Sequence, residues 1–135
     1  IMIDLDYFKN YNDLHGHPAG DKVLIGVANI LKNNLRVGDI AARYGGEEFA
    51  IILMGNDLKS AFKKAEYLRR AVANYIFENE KMQPNGDLTI SLGVASLPKQ
   101  AKTPKELLDK ADKALYKSKT TGKNKVTAYN LVKGL

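Results

Sequence analysis

The succession of segments along this chain predicts an α+β fold, an α/β sandwich with helices packed on a sheet. Three observations carry that expectation. Short apolar runs at 1–5, 40–53, 88–94 and 125–129 have the pattern of strands. Longer stretches near 19–34, 58–78 and 104–119 repeat apolar residues at helical spacing. Gly45-Gly46 divides the 40–53 run in two, a hairpin signal, so the order is strand, helix, hairpin, helix, strand, helix, strand.

The first strand, Ile1 to Leu5, runs straight into acid. Tyr7 to Asp13 reads as a polar-aromatic bend of one helical turn at most, and His15 to Gly20 as loop, because of its Gly and Pro. The helix from about Ala19 to Asn34 sets Val23, Leu24, Val27, Ile30 and Leu31 on one face. In the hairpin a two-residue turn needs positive φ, which glycine adopts at little cost. Ile40-Ala41-Ala42 enters it and Phe49 to Leu53 leaves it. Asp57 is placed to cap a helix from about Leu58 to Glu78, with Leu58, Ala61, Phe62, Ala65, Leu68, Ala71, Val72 and Ile76 on its apolar face. Gln83 to Asp87 is a turn, and Leu88 to Val94 alternates like a half-buried strand. Thr103-Pro104-Lys105-Glu106 is a capping box with Pro at the first helical position. The helix it opens buries Leu107, Leu108, Ala111, Ala114 and Leu115, and Gly122 closes it before a last strand, 125–129.

The 135 residues suffice for one domain with a real core, and no internal repeat or linker divides them. No apolar run reaches the ~20 residues of a membrane span, and no signal-peptide pattern is present. Without cysteine there is neither a disulfide nor a thiolate metal site. The formal charge of +6 favours an anionic partner, with simple solubility as the alternative. The chain opens inside a strand without an initiator Met, which reads as a piece of a longer protein.

The acids carry the chemistry. Glu47 and Glu48 follow the glycines at once, where Glu is a poor strand former. Alone they have a plain reading as charges that keep a sheet edge soluble. A second acidic cluster at another strand end, Asp4 and Asp6, gives the other reading. Two residues apart in a strand, these share one face, and with the hairpin alongside, Asp4 and Glu47 converge. Carboxylates meeting without a basic partner are stable around a cation, and oxygen-only ligands suit Mg²⁺ or Mn²⁺, the usual layout for phosphoryl or nucleotidyl transfer. There is no P-loop, and His15 and His17 in their Pro-Gly loop are better read as structural than as metal ligands. Lys117, Lys119, Lys123 and Lys125 gather at the end of the last helix, either to favour its dipole or to hold phosphate.

Gly45-Gly46-Glu47-Glu48-Phe49, preceded by Arg43-Tyr44, resembles the signature of the GGDEF family, the diguanylate cyclases, in its Gly-Gly-Glu-Glu-Phe form. Asp4-Leu5-Asp6-Tyr7-Phe8-Lys9 with Asn12-Asp13 resembles the family's first acidic motif, and Gly16-His17 with Gly20-Asp21 its next segment. Leu92-Gly93-Val94, Ala111-Asp112, Ala114-Leu115-Tyr116, Lys119 and Gly122-Lys123-Asn124 resemble its C-terminal half. The resemblance covers nearly the whole chain in order. It implies a fold like nucleotidyl cyclases and polymerase palms, with a ferredoxin-like central antiparallel sheet of about five strands flanked by helices. It also implies condensation of two GTP into cyclic di-GMP and two pyrophosphates. By position, Asp4 and Glu47 would bind Mg²⁺ (or Mn²⁺) with the Leu5 carbonyl, and Glu48 would stand beside them as a third catalytic acid. Backbone amides near Phe8 and Lys9, the Gly45-Gly46 turn, Lys119 and Lys123 would hold the triphosphate side of the substrate, where relatives often have Arg in place of Lys123. Asn12 and Asp21 would read guanine. That last assignment has its own physical sense, since a carboxylate accepts from guanine N1–H and its amine whereas adenine lacks that donor pair.

The resemblance implies more. One nucleotide site per domain makes a homodimer necessary for catalysis. Arg36-Val37-Gly38-Asp39 resembles the family's inhibitory site for cyclic di-GMP, with Arg36 and Asp39 as its contacts. Tyr67 stands where some relatives supply a further Arg. The family's first helix and its Asp-x-Leu-Thr-Gly-Leu-x-Asn-Arg segment are not in this sequence, so 1–135 is expected to be a single catalytic domain lacking that helix and its upstream regulatory region. An upstream sensor or receiver domain is the expected partner. The domain is expected in the cytoplasm, alone or within a larger membrane-anchored protein, touching neither membrane nor nucleic acid. Only the +6 charge speaks for nucleic acid, without a stacking platform or groove-reading helix. The alternative function is a catalytically weak receptor for GTP or cyclic di-GMP.

Overall fold

A computed structural model describes residues 1–129; the last part of the expected domain, 130–135, lies outside the described residues. The elements are β1 (Met2–Leu5), α1 (Phe8–His15), α2 (His17–Asn33), β2 (Ile40–Arg43), β3 (Glu48–Ile52), α3 (Leu58–Asn74), a 3₁₀ turn at Glu80–Met82, β4 (Ile90–Val94), α4 (Pro104–Thr120) and β5 (Val126–Ala128). They form the expected five-stranded α+β sandwich, in the strand order β2-β3-β1-β4-β5. The sheet is mixed rather than wholly antiparallel, because β5 runs parallel to β4. A parallel neighbour needs a crossover, and α4 supplies it.

Strand alternation gives β1 two faces. Ile3 and Leu5 join Val27 and Leu31 of α2 and Leu68 and Val72 of α3 in the main core. Met2 points the other way, into a smaller cluster with Ala111 and Leu115 of α4. Asp4 and Asp6 continue along the α4 side by the two-residue period. α4 lies very close over β4: a Cβ on Gly93 would fall 2.1 Å from the Leu115 nitrogen and 2.2 Å from the Ala111 oxygen. Ser118 Oγ donates to the Leu92 carbonyl at 2.8 Å and fastens the far end of the helix.

Several boundaries differ from the sequence expectations for identifiable reasons. Phe8 and Tyr11 are buried, and that tertiary anchoring makes 8–15 a helix rather than a bend. α2 starts at His17 because Gly16, at φ 87°, pivots the chain and Pro18 fits the first turn. α3 stops at Asn74, so Ile76 is exposed while Phe77 turns back into the core and packs against Gly26. β4 is buried on both faces rather than half-buried, since α3 and α4 cover one side each. The buried stripe of α4 begins only at Ala111, leaving Leu108 exposed. Both helix caps form as expected: Asp57 accepts from Ser60 N–H at 2.8 Å, and Thr103 accepts from Glu106 N–H at 3.2 Å. The return arm of the Thr103 box reaches one residue further back, with the Glu106 carboxylate accepting from Lys102 N–H at 2.8 Å. Among the described residues no helix is long and apolar enough to cross a membrane.

Candidate active site

β1 ends beside the hairpin, and its register sets Asp4 directly opposite Glu48. Leu5 N–H donates to the Glu47 carbonyl at 3.2 Å, which ties the next residue of each strand to the other. The turn that delivers these acids differs from the expected tight pair. It is a four-residue loop, Tyr44 to Glu47, between Arg43 and Glu48, and neither Gly45 nor Gly46 has a left-handed φ. Tyr44 and Gly45 N–H both close it by donating to the Glu48 carbonyl, at 2.8 and 3.3 Å. The glycines serve space instead. A Cβ on Gly45 would sit 3.1 Å from Glu48 Oε2, and one on Gly46 would meet nothing within 4 Å, so the loop crest is bare backbone.

The acids strain one another. Burial pushes the Asp4 carboxyl up, against the pull of the Lys119 ammonium. Burial also raises Glu47, and the charge of Asp4 raises it further. Glu48 is raised by burial, then by Asp4, Asp112 and Glu47. Like charges held together in this way are what a cation relieves, and all the donors are hard oxygens. Among the described residues no three His, Cys, Asp or Glu side chains surround one point, and the set expected from the sequence, Asp4, Glu47 and the Leu5 carbonyl, has two carboxylates. The premise that the acids lack a basic partner does not hold, because Lys119 Nζ pairs with Asp4 Oδ1 at 2.9 Å. Nor does Asp6 join them: it is buried and spent on Thr89 Oγ1, Ser91 Oγ and Asn124 N–H, at 2.8, 2.6 and 2.9 Å.

Lys123 stands near Lys119, donating to its carbonyl at 3.0 Å and lying 5.3 Å above the Tyr7 ring. Phe8 is buried at the start of α1, and Lys9 is exposed one residue on. Asn12 presses its amide against Gly20, where a Cβ would fall 1.7 Å from Oδ1. That Oδ1 is buried and has no hydrogen-bond partner among the described residues. Asp21 is exposed at the rim of a cavity of about 240 Å³ between α2 and the hairpin, lined mainly by apolar groups such as Leu24, Ala41 and Phe49.

Arg36 and Asp39 do come together, at the opposite end of the β2–β3 hairpin. Asp39 accepts from Arg36 N–H at 3.1 Å and Met54 N–H at 3.2 Å, and its carboxylate lies 3.6 Å from Arg36 Nε. Burial opposes its ionisation, but those N–H groups and the guanidinium hold the Asp39 carboxyl below the usual range. Arg36 Nη2 donates to Met54 O at 3.0 Å and Asn56 Oδ1 at 2.6 Å. Tyr67 is exposed on α3, and both nearby arginines, Arg69 and Arg70, are drawn to Glu66.

Two residues of this region, Arg43 and Asp112, stand in the motifs quoted from the sequence but were given no role there. Arg43 braces the loop, with Nε 3.2 and 3.0 Å from the Gly45 and Gly46 carbonyls and Nη2 2.6 Å from the latter. The available signal was an Arg close ahead of two residues without side chains. Asp112 adds its charge to Glu48 from α4, which only the crossover could reveal.

The family profile described as "Diguanylate cyclase, GGDEF domain" matches residues 1–125. Diguanylate cyclase A of Treponema denticola is 44% identical over 129 residues, which cover 94% of this chain and 34% of that protein. The response regulator PleD of Caulobacter vibrioides is 39% identical over 126 residues, 93% of this chain and 28% of that protein. The chain thus spans about a third of the length of these relatives. Among solved structures, the active GGEEF domain of a diguanylate cyclase from Vibrio cholerae superposes with a TM-score of 0.85 at 34% identity, over 95% of this chain and 80% of that one. The GGDEF domain of DgcB from Caulobacter crescentus, in complex with c-di-GMP, superposes with a TM-score of 0.83 at 34% identity, over 96% and 75% of the two chains.

Proposed function

The chain belongs to the GGDEF family of diguanylate cyclases, and on that footing we propose that it condenses two GTP into cyclic di-GMP and two pyrophosphates. The observation that carries the proposal is the acid edge: Asp4 in register with Glu48, and Glu47 tied to Leu5. Bound Mg²⁺ (or Mn²⁺) would supply charge neutralisation on the phosphates and a more acidic 3′-hydroxyl. Asp4, Glu47 and the Leu5 carbonyl are the residues to hold it.

The remaining work falls to the chain itself. Asn12 offers its unpaired acceptor to guanine donors, and Asp21 offers a carboxylate to N1–H and the amine. Adenine would leave these acceptors unmatched, which disfavours ATP. The bare Gly45-Gly46 crest and the amides near Phe8 and Lys9 lie along the phosphates, with Lys119 and Lys123 as their cations. The 3′-oxygen of one GTP bonds to the α-phosphorus of another, the bond from that phosphorus to the bridging oxygen breaks, and pyrophosphate leaves with its charge held by the lysines; the reciprocal attack by the second 3′-oxygen closes the ring and releases the second pyrophosphate. Glu48, its affinity for a proton raised by burial and then by the neighbouring carboxylates, is the carboxylate best suited to take the hydroxyl proton. Because each domain offers one such site, two domains must face one another, so the protein acts as a homodimer brought together by an upstream sensor or receiver domain. Its substrate places it in the cytoplasm. Arg36 and Asp39 bind the product and inhibit.

Mass spectrometry after incubation with GTP and Mg²⁺ tests this reading. Cyclic di-GMP is expected, and none with Glu47→Gln. Unchanged turnover in Glu47→Gln removes the metal assignment. No product together with retained cyclic di-GMP binding points instead to a receptor built on Arg36 and Asp39.

A further inference from the structure

The second acid of the first motif has no part in the chemistry above, yet it is among the most deeply buried polar groups of the domain, at 1% exposure. Its bonds divide in a telling way. Ser91 Oγ donates to Asp6 Oδ1 at 2.6 Å, whereas Oδ2 is shared by Thr89 Oγ1, at 2.8 Å, and Asn124 N–H, at 2.9 Å. The first two partners hold the carboxylate on β4; the third is backbone from the turn after α4.

That turn needs holding. Gly122, Lys123 and Asn124 take φ of 118°, 61° and 47° in succession, and left-handed backbone costs ~1 kcal/mol or more at each residue that is not Gly. Four hydrogen bonds among the described residues keep it in place: Lys123 N–H on the Ser118 carbonyl at 3.0 Å, Lys123 Nζ on the Lys119 carbonyl at 3.0 Å, Arg69 Nη1 on Asn124 Oδ1 at 2.9 Å, and Asn124 N–H on Asp6. Of these, only the Asp6 bond ties the turn to β1. The flanking contacts follow the same strand end: Asp4 meets Lys119, and Tyr7 lies under Lys123.

We infer that Asp6 is a positioning residue for the phosphate cations: it clamps the turn after α4 to the end of β1 and so sets where Lys123 stands relative to Asp4. The inference rests on the functional reading above, in which Lys123 contacts the triphosphate. Without the clamp the turn relaxes from its left-handed path and carries the Lys123 ammonium away from the metal carboxylate. Asn at position 6 can preserve it, because its oxygen can face Asn124 N–H and its amide can donate to the Ser91 hydroxyl. Ser is too short to reach.

A double-mutant cycle on the affinity for 3′-deoxy-GTP with Mg²⁺, measured by calorimetry, tests this, since that nucleotide binds without turning over. Asp6→Ser is expected to weaken binding about tenfold, the size of one charge-assisted contact, and Lys123→Ala about as much. The double variant loses no more than about twofold beyond Lys123→Ala alone, and Asp6→Asn stays within about threefold of the native chain. Full additivity, or an Asp6→Asn no better than Asp6→Ser, overturns the inference while leaving the functional reading standing. Native affinity in Lys123→Ala overturns the phosphate reading, and the clamp's purpose with it. Amide exchange on the unaltered protein gives a measurement independent of how any variant folds: Asn124 N–H is expected to exchange as slowly as the amides of β4, and fast exchange there refutes the clamp.

Discussion

Gly93→Ala probes the joint between fold and site. The new methyl would lie 2.1 Å from the Leu115 nitrogen, 2.2 Å from the Ala111 oxygen and 2.8 Å from the Ala114 carbonyl carbon. Ordinary contact begins near ~3.5 Å, so α4 must lift by roughly 1.4 Å. The obstruction is helix backbone, which cannot swing aside as a side chain does. Lifting it opens the Met2–Ala111–Leu115 cluster and stretches the Ser118 bond to Leu92. The cost is at the upper end for overpacking, about 3 kcal/mol, or roughly 10 °C in Tm for a domain of this size. Lys119 rides on the same helix, so its ammonium withdraws from Asp4 and product formation falls even where the variant remains folded. Urea unfolding together with cyclic di-GMP formation well below the midpoint checks both parts. Gly46→Ala is the control for stability, since its Cβ meets nothing within 4 Å and is expected to cost less than ~0.5 kcal/mol. A Gly93→Ala variant as stable as the native chain would refute the claim that α4 is seated on that glycine.

The acid edge predicts a trade between stability and function. With its carboxyl raised above the ordinary range by burial, Asp4, Asp112 and Glu47, Glu48 favours the folded state most at acid pH, and that contribution is lost as pH rises through the raised value. Glu48→Gln is therefore expected to stabilise the metal-free protein by a few tenths of a kcal/mol at pH 7 and not at all near pH 3, read from urea midpoints at the two values; destabilisation at pH 7 sinks the argument. At the other end of the hairpin, Arg36 must leave Asn56 Oδ1, 2.6 Å away, to fork onto a nucleotide. Asn56→Ala is expected to tighten cyclic di-GMP binding about threefold by calorimetry, the worth of one exposed hydrogen bond, and weaker binding would mean that Asn56 pre-orients Arg36 instead.

Much of the fold was legible because burial and period agree. Val23, Val27 and Leu31 repeat at helical spacing and are all in the core, and Asp57 and Thr103 cap the helices they precede. Misreadings arose where local composition and tertiary contact disagree. The polar stretch 8–15 lacks a full apolar stripe, yet two buried aromatics suffice to seat it as a helix. Conversely Ile76 continues the stripe of α3 by number, but Phe77 finds a better place against Gly26 and the helix ends first. The parallel pairing of β5 was hidden for a different reason: three residues carry no direction, which the crossover of α4 alone decides.

The site was legible in residue types and less so in roles. Alternation along β1 puts Asp4 and Asp6 on one side, and nothing local distinguishes two carboxylates two residues apart. Their difference is made by residues far along the chain. Asp4 looks across to Glu48 and pairs with Lys119, so its charge is held among other charges at the end of the central strand. Asp6 finds Thr89 and Ser91 on β4 and the Asn124 amide beyond α4, so its charge is consumed inside. The same holds for the glycines of the motif. A turn signal was rightly inferred from Gly45-Gly46, but their φ values show that conformational freedom is not why they are needed. A loop whose two central residues have no side chain leaves room for Glu48 beneath Gly45 and a bare crest at Gly46. Arg43 then holds that crest by its carbonyls, an arrangement a side chain at position 46 would leave intact in stability and obstruct only in function.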